Sequence, residues 1–259
     1  MKATKHYSAT SNKPGKRVVQ IDRRVLDCIL HGNSLKLLDR LPENSVDMIL
    51  TDPPYNISSD FEISFDDRKD ISHDFGDWDY GQVQPSDWIG KATRVLTDTG
   101  VFISMYDDLN MGRMISSLRQ QGLEIREKVY WHKDNPVPQF HGVKWQRAVE
   151  EMVVATVNEG EGHHFQANRG QRHNVIKTPI CQGRERRNHP TQKPRELFRP
   201  IIKWWTTPGD ILLDPFTGTG TIPVVAQEHG RHYIGIEQNK KYVKTARKRL
   251  SQTSLRQNW

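Results

Sequence analysis

Residues 210–237, DILLDPFTGTGTIPVVAQEHGRHYIGIE, contain the pattern that decides the fold. The apolar run DILLD predicts a buried strand, and the Gly- and Thr-rich turn after it leads into a helical stretch that ends at about Glu228. HYIGIE then predicts a second buried strand. A strand, a glycine turn, a helix and another strand form the unit from which parallel α/β sheets are built.

The rest of the chain continues this alternation. Three earlier apolar runs, DCILHG, VDMILTD and GVFISMY, predict further buried strands with helical stretches between them. Two β-rich runs, EIREKVYWH and EEMVVATV, are joined by a proline-containing loop, which permits antiparallel pairing. We therefore predict an α/β fold with a doubly wound, mostly parallel sheet and an antiparallel edge strand. Residues 1–23 are expected to form a flexible basic arm, and residues 24–259 a single domain.

Composition narrows the classes of function. The formal net charge of +7 makes a polyanionic partner such as nucleic acid reasonable, without establishing binding. Cys28 and Cys181 are too few for a disulfide framework or a four-cysteine metal site, so we expect two structural thiols in a reducing cytosol. No apolar run approaches about 18 residues, and the basic N-terminus lacks the apolar core of a signal peptide. We therefore expect a soluble, cytoplasmic protein with no membrane partner.

The turn DPFTGTGT after the first quoted strand predicts a ligand site. Gly218 and Gly220 lie where the chain must turn sharply into a helix, and Phe216 offers an apolar contact. Glu237 follows Asp214 by 23 positions (237 − 214), near the spacing of an acid that binds a ribose diol. The glycines depart from the dinucleotide pattern GxGxxG. By itself this segment fits either a nucleoside cofactor site or an ordinary turn.

A second motif, TDPPYN at residues 51–56, follows the predicted strand VDMIL directly. Asp52 and the turn therefore lie at the carboxyl edge of the sheet, where open α/β folds bind ligands. Pro53 and Pro54 lack amide donors, so the Pro53 carbonyl is available beside the Asp52 carboxylate, and two acceptors can hold one amino group. Tyr55 has a flat face on which a base removed from a duplex can stack. The alternative is a rigid turn whose tyrosine packs into the core.

With these motifs the sequence resembles the beta class of amino-group DNA methyltransferases, in which DPPY precedes a target-recognition region and DPFxGxG lies near the C-terminus. The resemblance covers roughly residues 24–250 and includes RNHPTQKPRELF and GRHYIGIEQNKKYVKTARKRL. It implies a Rossmann-like fold with a circularly permuted motif order. It also implies S-adenosyl-L-methionine as cofactor and double-stranded DNA as substrate. A role in restriction-modification is a further expectation, and a homodimer is one of the assemblies that the resemblance suggests.

The resemblance assigns roles residue by residue. Phe216, Gly218 and Gly220 would border the methionine part of the cofactor, Glu237 its ribose, and Lys193 would support its binding. Asn33 stands where the family often has an acidic residue near the cofactor adenine, so this contact departs from the pattern. The predicted cofactor residues are Asn33, Asp52, Lys193, Asp214, Phe216, Gly218, Gly220 and Glu237. The predicted catalytic residues are Asp52, Pro53, Pro54 and Tyr55, and no metal site is expected.

The implied chemistry is direct methyl transfer to the exocyclic amino group of a flipped base. That nitrogen is a poor nucleophile, so orientation and electrostatics must supply the catalysis. Asp52 and the Pro53 carbonyl would accept the amino hydrogens, and no covalent enzyme intermediate is needed. The aspartate at position 52 favours N6 of adenine. N4 of cytosine, RNA or protein amino groups, and a catalytically silent nucleic-acid-binding protein stay open as alternatives.

Two further segments bear on substrate binding. Residues 57–80 combine acidic and aromatic side chains directly after DPPY, which indicates either a lid or second-subunit surface, or a flexible insertion. Residues 133–188 fit the target-recognition region or a solvated basic loop. The residues of this second segment that fit DNA contact are Lys133, His141, Lys144, Trp145, Arg147, His163, His164, Arg169, Arg172, Arg184, Arg186 and Arg187.

Overall fold

A computed structural model describes most of the chain. The described residues are 21–22, 24–55, 83–138, 145–157, 165–166, 172–187, 189 and 191–257. The predicted N-terminal arm, apart from residues 21–22, and the predicted insertion at about 57–80 lie outside these ranges. Parts of the predicted target-recognition region do so as well.

One eight-stranded sheet runs through the described residues. Its strands are β1 (Cys28–His31), β2 (Val46–Thr51), β3 (Leu96–Tyr106), β4 (Glu124–Lys133), β5 (Val149–Thr156), β6 (Val175–Thr178), β7 (Ile211–Asp214) and β8 (His232–Glu237). The spatial order is β1-β8-β7-β2-β3-β5-β4-β6. Strand β7 pairs in parallel with β8 and β2. The predicted α/β class and mostly parallel sheet are confirmed.

The predicted antiparallel strand is β5, which pairs antiparallel with both β3 and β4. The predicted antiparallel pairing is confirmed, in the part of the sheet that leads to the β6 edge. Strands β4 and β6 lie outside β5, because β6 pairs in parallel with the outer side of β4, from Tyr130 opposite Val175 to Lys133 opposite Thr178. The short run VIKT that forms β6 was not predicted from the sequence.

Helices cover both faces of the sheet. They are α1 (Ser34–Leu38), α2 (Pro85–Thr93), α3 (Met111–Gln120), α4 (Arg195–Trp205), α5 (Thr221–Glu228) and α6 (Lys240–Gln257). Helices α4, α5 and α6 contribute to one apolar cluster, and α1, α2 and α3 to the other. Strand β2 contributes to both clusters, because Met48 and Leu50 lie in the first cluster and Ile49 lies in the second. In the described part of the chain, no helix has the length and apolarity to cross a membrane.

Strand direction determines which side chains meet at the edge of the sheet. The parallel strands β2, β7 and β8 present their carboxyl ends there, with the turns that follow them. Because β5 runs the other way, it brings its first residues to the same edge, with Glu151 opposite Tyr106 and Glu150 opposite Trp131. The amino end of β5 therefore faces the turn that follows β2.

Candidate active site

A cavity of about 630 Å³ lies at this edge of the sheet. Both predicted motif turns line it, and so does the amino end of β5. The predicted site residues that line the cavity are Asn33, Asp52, Pro53, Pro54, Tyr55, Lys193, Asp214, Phe216, Gly218 and Glu237. Tertiary structure thus brings together two motifs that are far apart in the chain.

Gly220 is the predicted site residue that is not in the cavity lining. It adopts a left-handed conformation, with φ of 82°, as the residue before α5. A Cβ atom at this position would lie 2.7 Å from the Cβ of Ala246 on α6. The close approach of α5 and α6 therefore requires glycine here, so Gly220 shapes the turn through packing.

Glu237 ends β8 with its carboxylate held by the backbone. The amide of Gly218 donates to Oε2 at 2.8 Å, and the amide of Asn239 donates to Oε1 at 2.6 Å. Burial raises the pKa of Glu237 above its ordinary value, and these two amides act in the opposite direction. The amide of Gln238 also donates to this carboxylate, and the remaining acceptor capacity of its oxygens is available to a ligand hydroxyl. The geometry suits the recognition of a diol.

Asp214 ties the two motif turns together. Its buried carboxylate accepts a 2.8 Å hydrogen bond from Thr51 at the end of β2 and a 3.2 Å bond from the amide of Phe216. Burial raises the pKa of Asp214 to about 7, against the effect of these two donors. Asp214 thus holds the turn after β7 in register with the turn after β2.

Two further predicted side chains, Asn33 and Phe216, line the cavity. Asn33 precedes α1, and its side-chain oxygen accepts a 3.3 Å hydrogen bond from the amide of Lys36. The Phe216 ring meets the buried Trp88 edge-on, with 5.1 Å between ring centroids, which fixes an apolar wall. His189 also lines the cavity, and burial, together with Lys193 and Arg186, lowers its pKa to about 4.

Asp52 lies at the centre of a hydrogen-bonded group of side chains. The Tyr55 hydroxyl donates to its Oδ1 at 2.7 Å, and the Lys193 ammonium lies 2.8 Å from its Oδ2. The ammonium also lies 5.2 Å from the centroid of the Tyr55 ring, which meets Tyr106 edge-on. Lys193, predicted for the cofactor, therefore contacts the carboxylate predicted for catalysis.

Glu150 and Lys133 complete this group. Glu150 Oε2 lies 3.2 Å from the Lys193 ammonium, and its Oε1 lies 2.7 Å from the Lys133 ammonium. Only 23% of the Glu150 side chain and 9% of the Lys193 side chain are exposed. The sequence motifs do not indicate Glu150. An acid at the start of an apolar strand can be assigned to this site only when the strand is known to run antiparallel.

The pKa values of the two acids in this group shift in opposite directions. Burial raises the pKa of Asp52, Lys193 acts against it, and Glu150 adds to the increase. For Glu150, burial is outweighed by Lys193 and Lys133, and its pKa is lowered. Burial also opposes the charge on Lys193, but the two carboxylates raise its pKa above the ordinary value. Lys193 is therefore a permanent cation between two acids that compete for it.

Two exposed valines line the cavity, and an exposed tryptophan lies two residues before Arg147, which also lines it. Trp145 is 95% exposed, Val137 59% and Val149 48%, and both valines line the cavity. Arg147 lies two residues after Trp145 and reaches Asp107 at 3.5 Å. Large exposed apolar side chains close to a pocket are typical of an interaction surface.

The predicted DNA-reading residues are only partly described. His141, Lys144, His163, His164 and Arg169 lie outside the described residues. The Arg172 guanidinium stacks over the Trp204 ring at 5.1 Å, while Arg186 and Arg187 are exposed beside the turn that precedes α4. Within the described ranges, no group of three or more His, Cys, Asp or Glu side chains could hold a metal ion.

Comparison with known proteins decides the family. Residues 46–248 match the profile of a family described as DNA methylase. This chain belongs to the DNA methylase family. Over 250 aligned residues it is 32% identical to the type II methyltransferase M.HinfI of Haemophilus influenzae, covering 87% of this chain and 68% of that protein. It is 34% identical over 241 residues to the type II methyltransferase M2.DpnII of Streptococcus pneumoniae, covering 86% and 88% respectively.

Solved structures agree with this membership. The methylase matches the crystal structure of the M1.HpyAVI–SAM complex with a TM-score of 0.66 and 25% identity, covering 86% of this chain and 99% of that one. The PvuII cytosine-N4-specific DNA methyltransferase matches with a TM-score of 0.65 at 20% identity, over 85% of each chain, and this likeness shows the fold alone. The predicted family, Rossmann-like fold, DNA methyltransferase activity and S-adenosyl-L-methionine cofactor are confirmed.

Proposed function

We propose that this methylase transfers a methyl group to the N6 amino group of an adenine that is flipped out of double-stranded DNA. One observation carries the proposal. The DPPY turn with Asp52 and the glycine turn beside Glu237 line one cavity, and the 2.8 Å bond from Thr51 to Asp214 joins the two turns. A base and a methyl donor bound at the two turns would therefore meet.

The residues around Glu237 fit the cofactor. Its fixed carboxylate would accept hydrogen bonds from the ribose hydroxyls, and Asn33 would lie near the cofactor adenine. Phe216 and Gly218 would border the methionine part, with Gly218 in the left-handed conformation that brings backbone close to a ligand. Lys193 would support cofactor binding from the other side of the cavity. When bound, S-adenosyl-L-methionine supplies an electrophilic methyl group on a cationic sulfonium.

The DPPY turn would hold the amino group to be methylated. Asp52 and the Pro53 carbonyl both line the cavity and accept the two amino hydrogens, so that the nitrogen lone pair is oriented for transfer. Pro54 keeps this turn rigid. Tyr55 lines the cavity beside Asp52, and its ring provides a surface for stacking the base. Asp52 orients the substrate, and solvent removes the proton after transfer.

Adenine is preferred to cytosine because an aspartate begins the DPPY motif, which resembles the adenine-specific members of the family. Transfer to N4 of cytosine is the second candidate, since the same two acceptors can hold either amino group. The PvuII enzyme, which is cytosine-N4-specific, shares the fold. A single product analysis separates the two candidates.

We further propose that the DNA duplex lies against the mouth of the cavity. The exposed side chain of Trp145 supports this, because an aromatic ring can stack on the bases that remain after one has left the helix. Residues 133–188 would supply the target recognition, and residues 57–80 a lid. We place the enzyme in the cytoplasm, in a restriction-modification role. The homodimer implied by the resemblance is a further part of this proposal.

The decisive experiment is transfer of a tritiated methyl group from S-adenosyl-L-methionine to unmethylated duplex DNA, followed by mass spectrometry of the nucleosides. N6-methyladenine that disappears in Asp52→Ala supports the proposal. N4-methylcytosine would select the second candidate. Absence of product on diverse DNA, with cofactor binding retained, would contradict both and favour RNA, protein or a catalytically silent role.

A further inference from the structure

We propose that Glu150 is a positioning residue for methyl transfer. It provides a second acceptor for the Lys193 ammonium, so that the ammonium can leave Asp52 when the substrate amino group arrives there. The inference rests on the proposed function, because it concerns the acceptor that holds that amino group. Neither of the two recognised motifs contains Glu150.

The first step is that the Lys193 ammonium binds the carboxylate that the substrate amino group would use. Its ammonium lies 2.8 Å from Asp52 Oδ2, which is the distance and the donor type that a base amino group would present. The other oxygen, Oδ1, already accepts the Tyr55 hydroxyl at 2.7 Å. An arriving amino group therefore competes with Lys193 and Tyr55 for the Asp52 carboxylate, and a more tightly held ammonium leaves that carboxylate less available to orient the base.

The second step is that a buried ammonium does not leave a carboxylate without another partner. Only 9% of the Lys193 side chain is exposed, so water cannot replace the lost contact fully. Glu150 Oε2 lies 3.2 Å from the same ammonium, so the transfer needs only a short displacement. Glu150 thus lowers the cost of opening Asp52 to the substrate.

The third step is that Glu150 is itself held in place. Lys133, at the end of β4, lies 2.7 Å from its Oε1 and leaves Oε2 to face Lys193. The neighbouring Glu151 also lines the cavity, but its carboxylate pairs with Lys128 at 3.0 Å. This alternation follows from the pleat of β5. Two adjacent acids on one strand therefore have different ammonium partners.

The charged and titratable groups around Asp52 come from every element at this edge. Lys193 precedes α4, Glu150 lies on β5, Tyr55 lies in the same turn, Asp214 ends β7, and Lys133 on β4 acts through Glu150. When the charge of Glu150 is removed, the Lys193 ammonium keeps the Asp52 carboxylate as its charged partner. Asp52 then ionises more easily but is held more tightly by the ammonium.

The test is Glu150→Gln in the full chain, measured in single turnover at saturating DNA and cofactor. We expect the methyl-transfer rate to fall about 10- to 100-fold, since the amino group competes with a more tightly bound ammonium. The acid limb of the pH–rate profile is expected to move to lower pH, because the pKa of Asp52 falls. Glu196→Gln on α4, an exposed acid that pairs with Arg199, is expected to keep the wild-type rate and profile, and Glu150→Asp to recover part of the rate.

A second variant acts in the opposite direction. In Lys133→Met, Glu150 loses the Lys133 ammonium and keeps the Lys193 ammonium. Glu150 therefore attracts Lys193 more strongly and draws it away from Asp52. The acid limb is then expected to move to higher pH. Opposite displacements together with the lower rate of Glu150→Gln support the inference, and they would not follow from a general loss of folding. Thermal unfolding and cofactor titration verify the fold of each variant.

The inference is overturned if Glu150→Gln keeps the wild-type rate, wherever its acid limb lies, or if both variants move the limb in the same direction. Failure of the proposed function is a separate result, because it is decided by the product of the wild-type protein alone. If that product is N4-methylcytosine, the same comparison of rates still decides the role of Glu150.

Discussion

The Thr51 hydroxyl donates a 2.8 Å hydrogen bond to the buried carboxylate of Asp214. These two residues end adjacent parallel strands, β2 and β7, and each is followed by one of the two motif turns. The contact therefore sets the distance between the acceptor site at Asp52 and the turn beside Glu237. A change at either residue should affect both halves of the cavity.

The first prediction concerns the pH dependence of stability. Burial raises the pKa of Asp214 to about 7 in the folded state, whereas the ordinary value is 3.8. The folded protein therefore binds an extra proton between these values, and this group destabilises the fold increasingly as the pH rises from about 4 to 7. Asp214→Asn removes the titration and keeps the acceptor oxygen.

We expect Asp214→Asn to be more stable than wild type at pH 8, with the difference shrinking as the pH falls towards 5. Urea unfolding without cofactor at a series of pH values measures this difference. Other titrating groups contribute equally to the free energy of unfolding of both proteins, so their contributions cancel in the difference. A difference that does not depend on pH would show that Asp214 is not the proton acceptor.

The second prediction concerns Gly220. An alanine there would face a Cβ contact of 2.7 Å with Ala246 at a φ of 82°. We expect Gly220→Ala to lower the free energy of unfolding by about 1–3 kcal/mol, because strain and overpacking act together. Gly112→Ala, at a helix position with nothing within 4 Å of an added Cβ, is expected to be neutral or slightly stabilising. Equal effects in both variants would contradict this explanation.

The third prediction concerns cofactor affinity. Glu237→Gln removes one of two charged acceptors and places an amide group against the backbone donors of Gly218 and Asn239. We expect the Kd for S-adenosyl-L-methionine, measured by calorimetry, to rise roughly 10- to 100-fold, corresponding to about 1.5–3 kcal/mol for a hydrogen bond to a charged group. Glu196→Gln, at an exposed position of α4, serves as control. An unchanged Kd in Glu237→Gln would reject the diol assignment.

The fourth prediction concerns the DNA surface. Trp145 is 95% exposed, so its removal should change the free energy of unfolding by less than about 0.5 kcal/mol. DNA binding should nevertheless weaken by about 1–3 kcal/mol if the indole stacks on bases. Fluorescence anisotropy with a labelled duplex compares wild type, Trp145→Ala and Trp145→Phe. Phenylalanine is expected to retain part of the affinity, and equal affinity of all three proteins would place the duplex elsewhere.

Most of the sheet could be predicted from local patterns. Strands such as VDMILT and HYIGIE are continuous apolar runs because both of their faces are covered by helices, and such runs are visible in the sequence. The run VIKT of β6 was missed because it is short and partly polar. It exists as a strand through parallel pairing with β4, a contact between distant segments that composition does not reveal.

By itself, the sequence determined the fold class, the two motif turns and the family, because each of these depends on residues that lie close together in the chain. Tertiary structure alone decided that Lys193 pairs with Asp52 and that Glu150 reaches the same ammonium. These contacts join residues 141 and 43 positions apart (193 − 52 and 193 − 150), and the second requires β5 to run antiparallel. The direction of a strand is set by pairing with its neighbours, so the charge balance around Asp52 emerges only when the whole sheet is assembled.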